Sequence, residues 1–218
     1  MERAHSVMSD DIRPTLDSEE DPSIQLALDA ADIPTPEPEH CRQVARLALR
    51  LFDQLQPRLG FEQRWRDLLA AAAIWHDAGR QFGSAHHQRD SYELIRSTPL
   101  RHFDNDERLA IAGIARYHRG SEPTMEHPGY SGLRTDLRPA VDEMAAILRV
   151  AEGLDRSHLA EVDDLQCAFE PGRMTIFVIG HTYPMQGAEA ASARAGLLRR
   201  LTGSHVEFVP KLPRGNPR

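Results

Sequence analysis

Cysteine is scarce in this chain. Its 218 residues include two, Cys41 and Cys167, far apart, which suggests neither a disulfide framework nor a cysteine-type zinc site. Aromatic residues make up only 6%, so the core must be built mainly from Leu, Ala, Val and Ile. Long apolar runs are missing as well. The longest, around Leu68 to Trp75, falls well short of the ~20 residues that span a bilayer, so no membrane segment is expected. The N-terminal MERAHSVMSDDIRP has no basic stretch leading into an apolar one. A secretory signal is therefore not expected, and the cytoplasm is the expected location. An excess of basic charge is also lacking. The net charge is −7, and residues 1–39 carry eleven acidic residues against two basic ones, so the rest of the chain is close to neutral. That balance gives no case for a nucleic acid polymer as partner.

What is present is an ordinary globular composition, 40% apolar and 27% charged, in a chain long enough to bury a core. Residues 1–34, with SDD and DSEED clusters, read as an acidic, flexible arm in which Ile24 to Ala31 offers one or two helical turns. Residues 35–158 read as helical. Thr35 suits an N-cap and Pro36 a first helical position, and Val44, Leu47, Ala48, Leu51 and Leu55 then recur at helical spacing. The stretch LLAAAAIWHD is apolar nearly all round, as expected of a central helix. Further helices are expected near residues 86–97, 105–118 and 137–154, with a Gly- and Pro-rich loop at 119–133. Residues 159–218 read as a small α+β appendage: two strands around Glu170-Pro171-Gly172, a helix, and a short strand at 205–209. The expected fold class is mainly α with that appendage.

The chemistry starts at His76-Asp77, which closes the central apolar helix. A lone pair of this kind is more often a buried His beside an Asp helix terminator. An Asp at the negative end of a helix dipole nevertheless needs compensation, which a cation would supply. His40 lies near the buried face of the preceding helix, and Asp155 follows the apolar helix LRVAEGL. Two imidazoles and two carboxylates from three helices suit a borderline to hard divalent ion: Mn²⁺, Fe²⁺, Co²⁺, Mg²⁺ or Zn²⁺. Arg80, Arg119 and Arg156 are candidates to hold an anionic ligand near such an ion, with His86 beside them. His102, His127, His158, His181 and His205 lie in loops or the tail, where solvent exposure is expected.

The order His … His-Asp … Asp resembles the HD superfamily of metal-dependent phosphohydrolases. The segments HCRQVARLALRLFDQL, AAAIWHDAGRQF, HHQRDSYELI, ERLAIAGIARYHRG and LRVAEGLDRSH resemble, in that order, the C-terminal HD-type region of the exopolyphosphatase / guanosine pentaphosphate phosphatase (Ppx/GppA) family. The resemblance covers roughly residues 37–160 and implies an HD-type helical bundle. It implies His40, His76, Asp77 and Asp155 as metal ligands, with Asp77 bridging if two ions bind, and His87 and His118 as ligands of a second ion. In that family the phosphatase active site belongs to an actin-like pair of domains, to which nothing in this sequence corresponds. Any chemistry would be that of the HD site. The expected function is metal-dependent hydrolysis of a phosphoester or phosphoanhydride in a small phosphorylated molecule: a nucleotide, a guanosine polyphosphate or polyphosphate. Asp77, His87 and Arg80 are the candidate catalytic residues, and one or two ions are expected per chain. The competing reading is a module that binds metal and phosphate without turnover, or docks to a separate enzyme of polyphosphate or nucleotide metabolism. Apolar helix faces leave room for a homodimer.

Overall fold

The computed structural model describes residues 20–83 and 85–213. Helix α1 spans Pro22–Ala30, α2 Pro38–Leu59 and α3 Arg64–Trp75. A 3₁₀ turn at Ala78–Phe82 leads to α4, His87–Ser97, and α5, Asn105–Arg116. A single helical turn, α6 at Pro128–Ser131, interrupts the expected loop, and α7 spans Arg138–Leu154. Strands β1, Val162–Glu170, and β2, Arg173–Gly180, are followed by α8, Met185–Arg194, α9, Gly196–Thr202, and β3, His205–Lys211. The architecture is mainly α with a small three-stranded α+β unit at its C-terminal end. Among the described residues, no helix is long and apolar enough to cross a membrane.

Helix α3 is the hub. Every residue from Leu68 to Trp75 is buried, because α1, α2, α5 and α7 cover it on all sides. Alanines at 70–73 let those neighbours approach closely. Helix α2 is amphipathic, with Val44, Leu47, Ala48, Leu51 and Leu55 turned inward. It begins later than Thr35-Pro36 suggests. Glu37 precedes a proline, which disfavours helical backbone at Glu37 (φ −128°, ψ 72°), and Pro38 takes the first helical position instead. The helix runs through Pro57 and stops at Gly60, whose φ of 73° is a left-handed cap.

The flexible-arm reading needs a correction. Residues 1–19 lie outside the described residues, but Ile24, Ala27, Ala30 and Ile33 are core residues packed with α3. Asp21 caps α1 through the Ser23 N–H, and Arg66 clamps Asp21 and Asp53. The helical turns expected at Ile24 to Ala31 form α1, which buries Ser23, Ile24, Ala27 and Ala30, and Ile33 packs just beyond its end.

The sheet has order β1-β2-β3, with β1 and β2 antiparallel and β2 and β3 parallel across the α8–α9 crossover. The single expected helix is broken at Ala195 into α8 and α9. The unit is fastened to the bundle twice. On α2, Gln54 brackets β1, donating to the Leu165 carbonyl and accepting from the Cys167 N–H, while Arg50 pairs with Asp164. On α7, Gly153 lets α8 come so close that a Cβ there would lie 2.7 Å from the Ala191 Cα. The appendage therefore presses directly on the helix that ends at Asp155.

Candidate metal centre

Helix α3 ends at Trp75, and the backbone leaves helical geometry at Asp77 (φ −102°, ψ 6°). This departure allows adjacent side chains, normally ~100° apart on a helix, to face one point. The His76 Nε2 and Asp77 Oδ1 atoms are 3.7 Å apart. Around them the fold assembles two groups, His40–His76–Asp77 and Asp77–His87–His118, in each of which the ligand atoms lie within 4.8 Å of one another. All five side chains are buried, and Asp77 belongs to both groups. His40 comes from the first turn of α2, His87 from the start of α4, and His118 from just beyond α5.

The imidazoles are held in a particular tautomer. The Nδ1–H of His76 donates to the Ala73 carbonyl at 2.7 Å, and that of His118 to the Ala115 carbonyl at 2.8 Å. Each Nε2 therefore presents a lone pair to the interior, the state a metal ligand requires. The His76 Nε2 has no hydrogen-bond partner among the described residues. Burial keeps both rings neutral: the pKa of His76 is lowered, and that of His118 falls to about 3. His87 places its Nε2 3.0 Å from Asp77 Oδ1 and 3.3 Å from His118 Nε2. Burial alone would raise the Asp77 carboxyl, but His76, His87, His118 and Arg80 hold it well below the usual carboxylate range. A buried carboxylate beside the Nε2 lone pairs of His76 and His118 is a donor set suited to a cation. The residues present fit a divalent ion.

Asp155 takes a different place from the one the sequence suggests. It belongs to neither three-residue group. Its Oδ2 sits 2.7 Å from His40 Nδ1, and its Oδ1 accepts the Ala160 N–H. It orients His40 from behind, in the manner of carboxylates that stand behind a ligating imidazole. The other side of His40 faces Glu152. The His40 Nε2 and the Glu152 Oε2 are 3.4 Å apart, and neither has a hydrogen-bond partner among the described residues. Burial would lower the His40 pKa, but Asp155 and Glu152 outweigh it and push it up to about 9. The Glu152 carboxyl, which burial would raise, is held far down by His40, by the neighbouring histidines and by Arg194 of α8 at 2.9 Å.

Glu152 is a functional candidate that the sequence reading missed. We predict that Glu152→Gln keeps the fold but weakens divalent-ion affinity by about 10- to 100-fold, measured by competition with a chromogenic chelator. An affinity equal to wild type would place Glu152 outside the site.

The rim of the cluster also differs from expectation. His158 is not solvated: its ring stacks on His40 with centroids 3.7 Å apart and planes 2° from parallel, and its Nδ1 contacts Glu37. Glu37 in turn accepts from Arg80 at 2.5 Å, and Arg80 Nε lies 2.8 Å from Asp77 Oδ2. The Arg80 guanidinium is thus held between two carboxylates rather than standing free. His86 is exposed at the head of α4. Arg156 is exposed and Arg119 half-buried, and neither forms an ion pair among the described residues. His127 departs from expectation too, being half-buried with its Nδ1 3.0 Å from the Tyr117 hydroxyl. The late start of α2 explains Glu37: as the last residue before Pro38 it leaves the helix end uncapped and reaches Arg80 instead.

Residues 36–178 match the family described as Ppx/GppA phosphatase, domain III, which is about two thirds of the chain. The chain belongs to this family. No curated protein matches it closely enough to count as a relative. The Ppx/GppA domain III match begins two residues before α2 and ends within β2, so it takes in every donor of the two groups, Glu152, Asp155 and the β1–β2 hairpin. Family membership places the protein in the setting of polyphosphate and nucleotide metabolism, and its buried His/Asp groups could hold a metal ion.

Proposed function

We propose that the protein is an HD-type, divalent-metal phosphohydrolase acting on a small phosphorylated molecule such as a nucleotide, a guanosine polyphosphate or a short polyphosphate. The observation that supports this most is the sharing of Asp77 between two buried donor groups. A bound divalent ion would lower the pKa of a coordinated water and polarise a phosphoryl oxygen. His40, His76 and Asp77 would hold one ion; Asp77, His87 and His118 would hold a second. The backbone carbonyls of Ala73 and Ala115 fix His76 and His118 in the ligating tautomer. Asp155 holds His40 in place. Arg80 anchors Asp77 and, through Glu37, ties the rim to His158.

The burial of every donor favours a second reading, a module that holds metal and a phosphorylated ligand without turning it over. Phosphate release separates the two. The wild-type protein, supplied in turn with Mn²⁺, Mg²⁺, Co²⁺ or Zn²⁺, is expected to release phosphate from at least one member of a panel of nucleotides, guanosine polyphosphates and polyphosphate. Metal-loaded, folded protein that releases none would reject the catalytic reading for these substrates and leave the binding module.

A further inference from the structure

A second site lies outside the metal cluster. Between α4, α5 and α6 the surface opens into a cleft of about 370 Å³. Its walls carry Arg89 and Tyr92 from α4, Arg116 and Tyr117 from the end of α5, and His127 and Gly129 beside α6. Neither arginine forms an ion pair among the described residues. The one acidic residue in the wall, Glu93, is paired with Arg96 at 2.5 Å. The cleft therefore brings two uncompensated guanidiniums together, one exposed and one half-buried.

The second feature is aromatic. The hydroxyl end of Tyr92 packs against the backbone at Gly129, where a Cβ would meet its hydroxyl oxygen at 2.5 Å. Tyr117 and His127 stack at 5.6 Å, tilted by 27°, and bond to each other through the Tyr117 hydroxyl. Tyr117 is itself buried and backs the wall, so the half-buried Tyr92 is the tyrosine ring the cleft offers next to the cations. The volume falls within the ~300–1,000 Å³ range of small-molecule sites, so a bare phosphate ion would leave most of it to water. Guanidiniums grip phosphate oxygens in a forked geometry, and aromatic rings stack with bases.

We propose that this cleft is a binding site for a mononucleotide, with Arg89 and Arg116 holding the phosphate and the half-buried Tyr92 ring receiving the base. The site stands on its own residues and does not depend on the metal centre being catalytic. It flanks that centre all the same: Arg89 is two residues from His87, and Tyr117 is next to His118. A nucleotide seated here would bear on both histidines of the second donor group.

The test is titration calorimetry of the full chain with AMP, adenosine and inorganic phosphate, with and without a chelator. AMP is expected to bind saturably, more tightly than either adenosine or phosphate, with and without chelator. Arg89→Glu, on the exposed wall, is expected to weaken AMP by at least tenfold while leaving the thermal midpoint unchanged. Arg116→Gln and Tyr92→Leu should each weaken it further than any change in fold explains. Absence of saturable AMP binding, binding lost on chelation, or binding unmoved by Arg89→Glu would overturn the proposal. Phosphate binding as tight as that of AMP would overturn the assignment of the Tyr92 ring.

Discussion

Replacing Asp77 with alanine is expected to abolish stoichiometric metal binding and to lower any phosphate release by on the order of 10³-fold or more. Asp77 is the only acid shared by the two donor groups, so its loss takes a ligand from both ions at once. Of the imidazoles that remain, His76 and His118 are kept neutral by burial and would have to bind a doubly charged ion without the one carboxylate that faces both groups. Asp77→Asn is expected to behave almost as badly, since the amide keeps the shape but not the charge. Metal content by elemental analysis, read beside phosphate release, makes the comparison. The fold is expected to survive, because His76 and His118 beside Asp77 stay anchored to the Ala73 and Ala115 carbonyls, and circular dichroism checks it. A variant that keeps both its metal and its turnover would remove Asp77, and with it the two-group arrangement, from the mechanism.

The difference between what could be read in the sequence and what could not lies in the kind of signal each residue carries. The core faces of α2 and α3 are written in periodicity, and the structure buries Val44, Leu47, Leu51 and the LLAAAAIW run as that pattern requires. His76-Asp77 stood out because an acid closing an apolar helix conflicts with the helix dipole. Glu152 carried no such conflict. In an amphipathic helix a glutamate defaults to solvent, and it is buried here because α8, which belongs to the C-terminal unit, brings Arg194 across it. His158 was hidden for a similar reason: three residues after Asp155, in a turn with φ of 59°, it is folded back over His40 by geometry that no local pattern announces. Glu37 could be read as a helix-start acid but not as a bridge, because that role depends on Arg80 arriving from the 3₁₀ turn.

The same turn carries the second large prediction. Gly79 lies two residues beyond Asp77, and its backbone N–H donates to Ser91 Oγ at 2.8 Å. A Cβ at this position would stand 2.3 Å from the His87 carbonyl oxygen and 2.4 Å from the Ser91 nitrogen, both backbone atoms of α4. The difficulty is space and not conformation, since Gly79 is not among the residues with positive φ. No rotamer change relieves a clash with backbone, so Gly79→Ala must push α4 outward or distort the turn that carries Asp77. Either movement draws His87 away from its 3.0 Å contact with Asp77. We expect a loss of about 3 kcal/mol or more in unfolding free energy, read as a lower urea midpoint, together with loss of the ion held by Asp77, His87 and His118. The group formed by His40, His76 and Asp77 draws no donor from α4, so one ion per chain should remain. Ser91→Ala separates the two effects: it removes the hydrogen bond without the clash, and is expected to cost about 1–3 kcal/mol while leaving metal content unchanged. A Gly79→Ala protein with wild-type midpoint and full metal content would mean that α4 can move away without cost, and that His87 is not held in place by this turn.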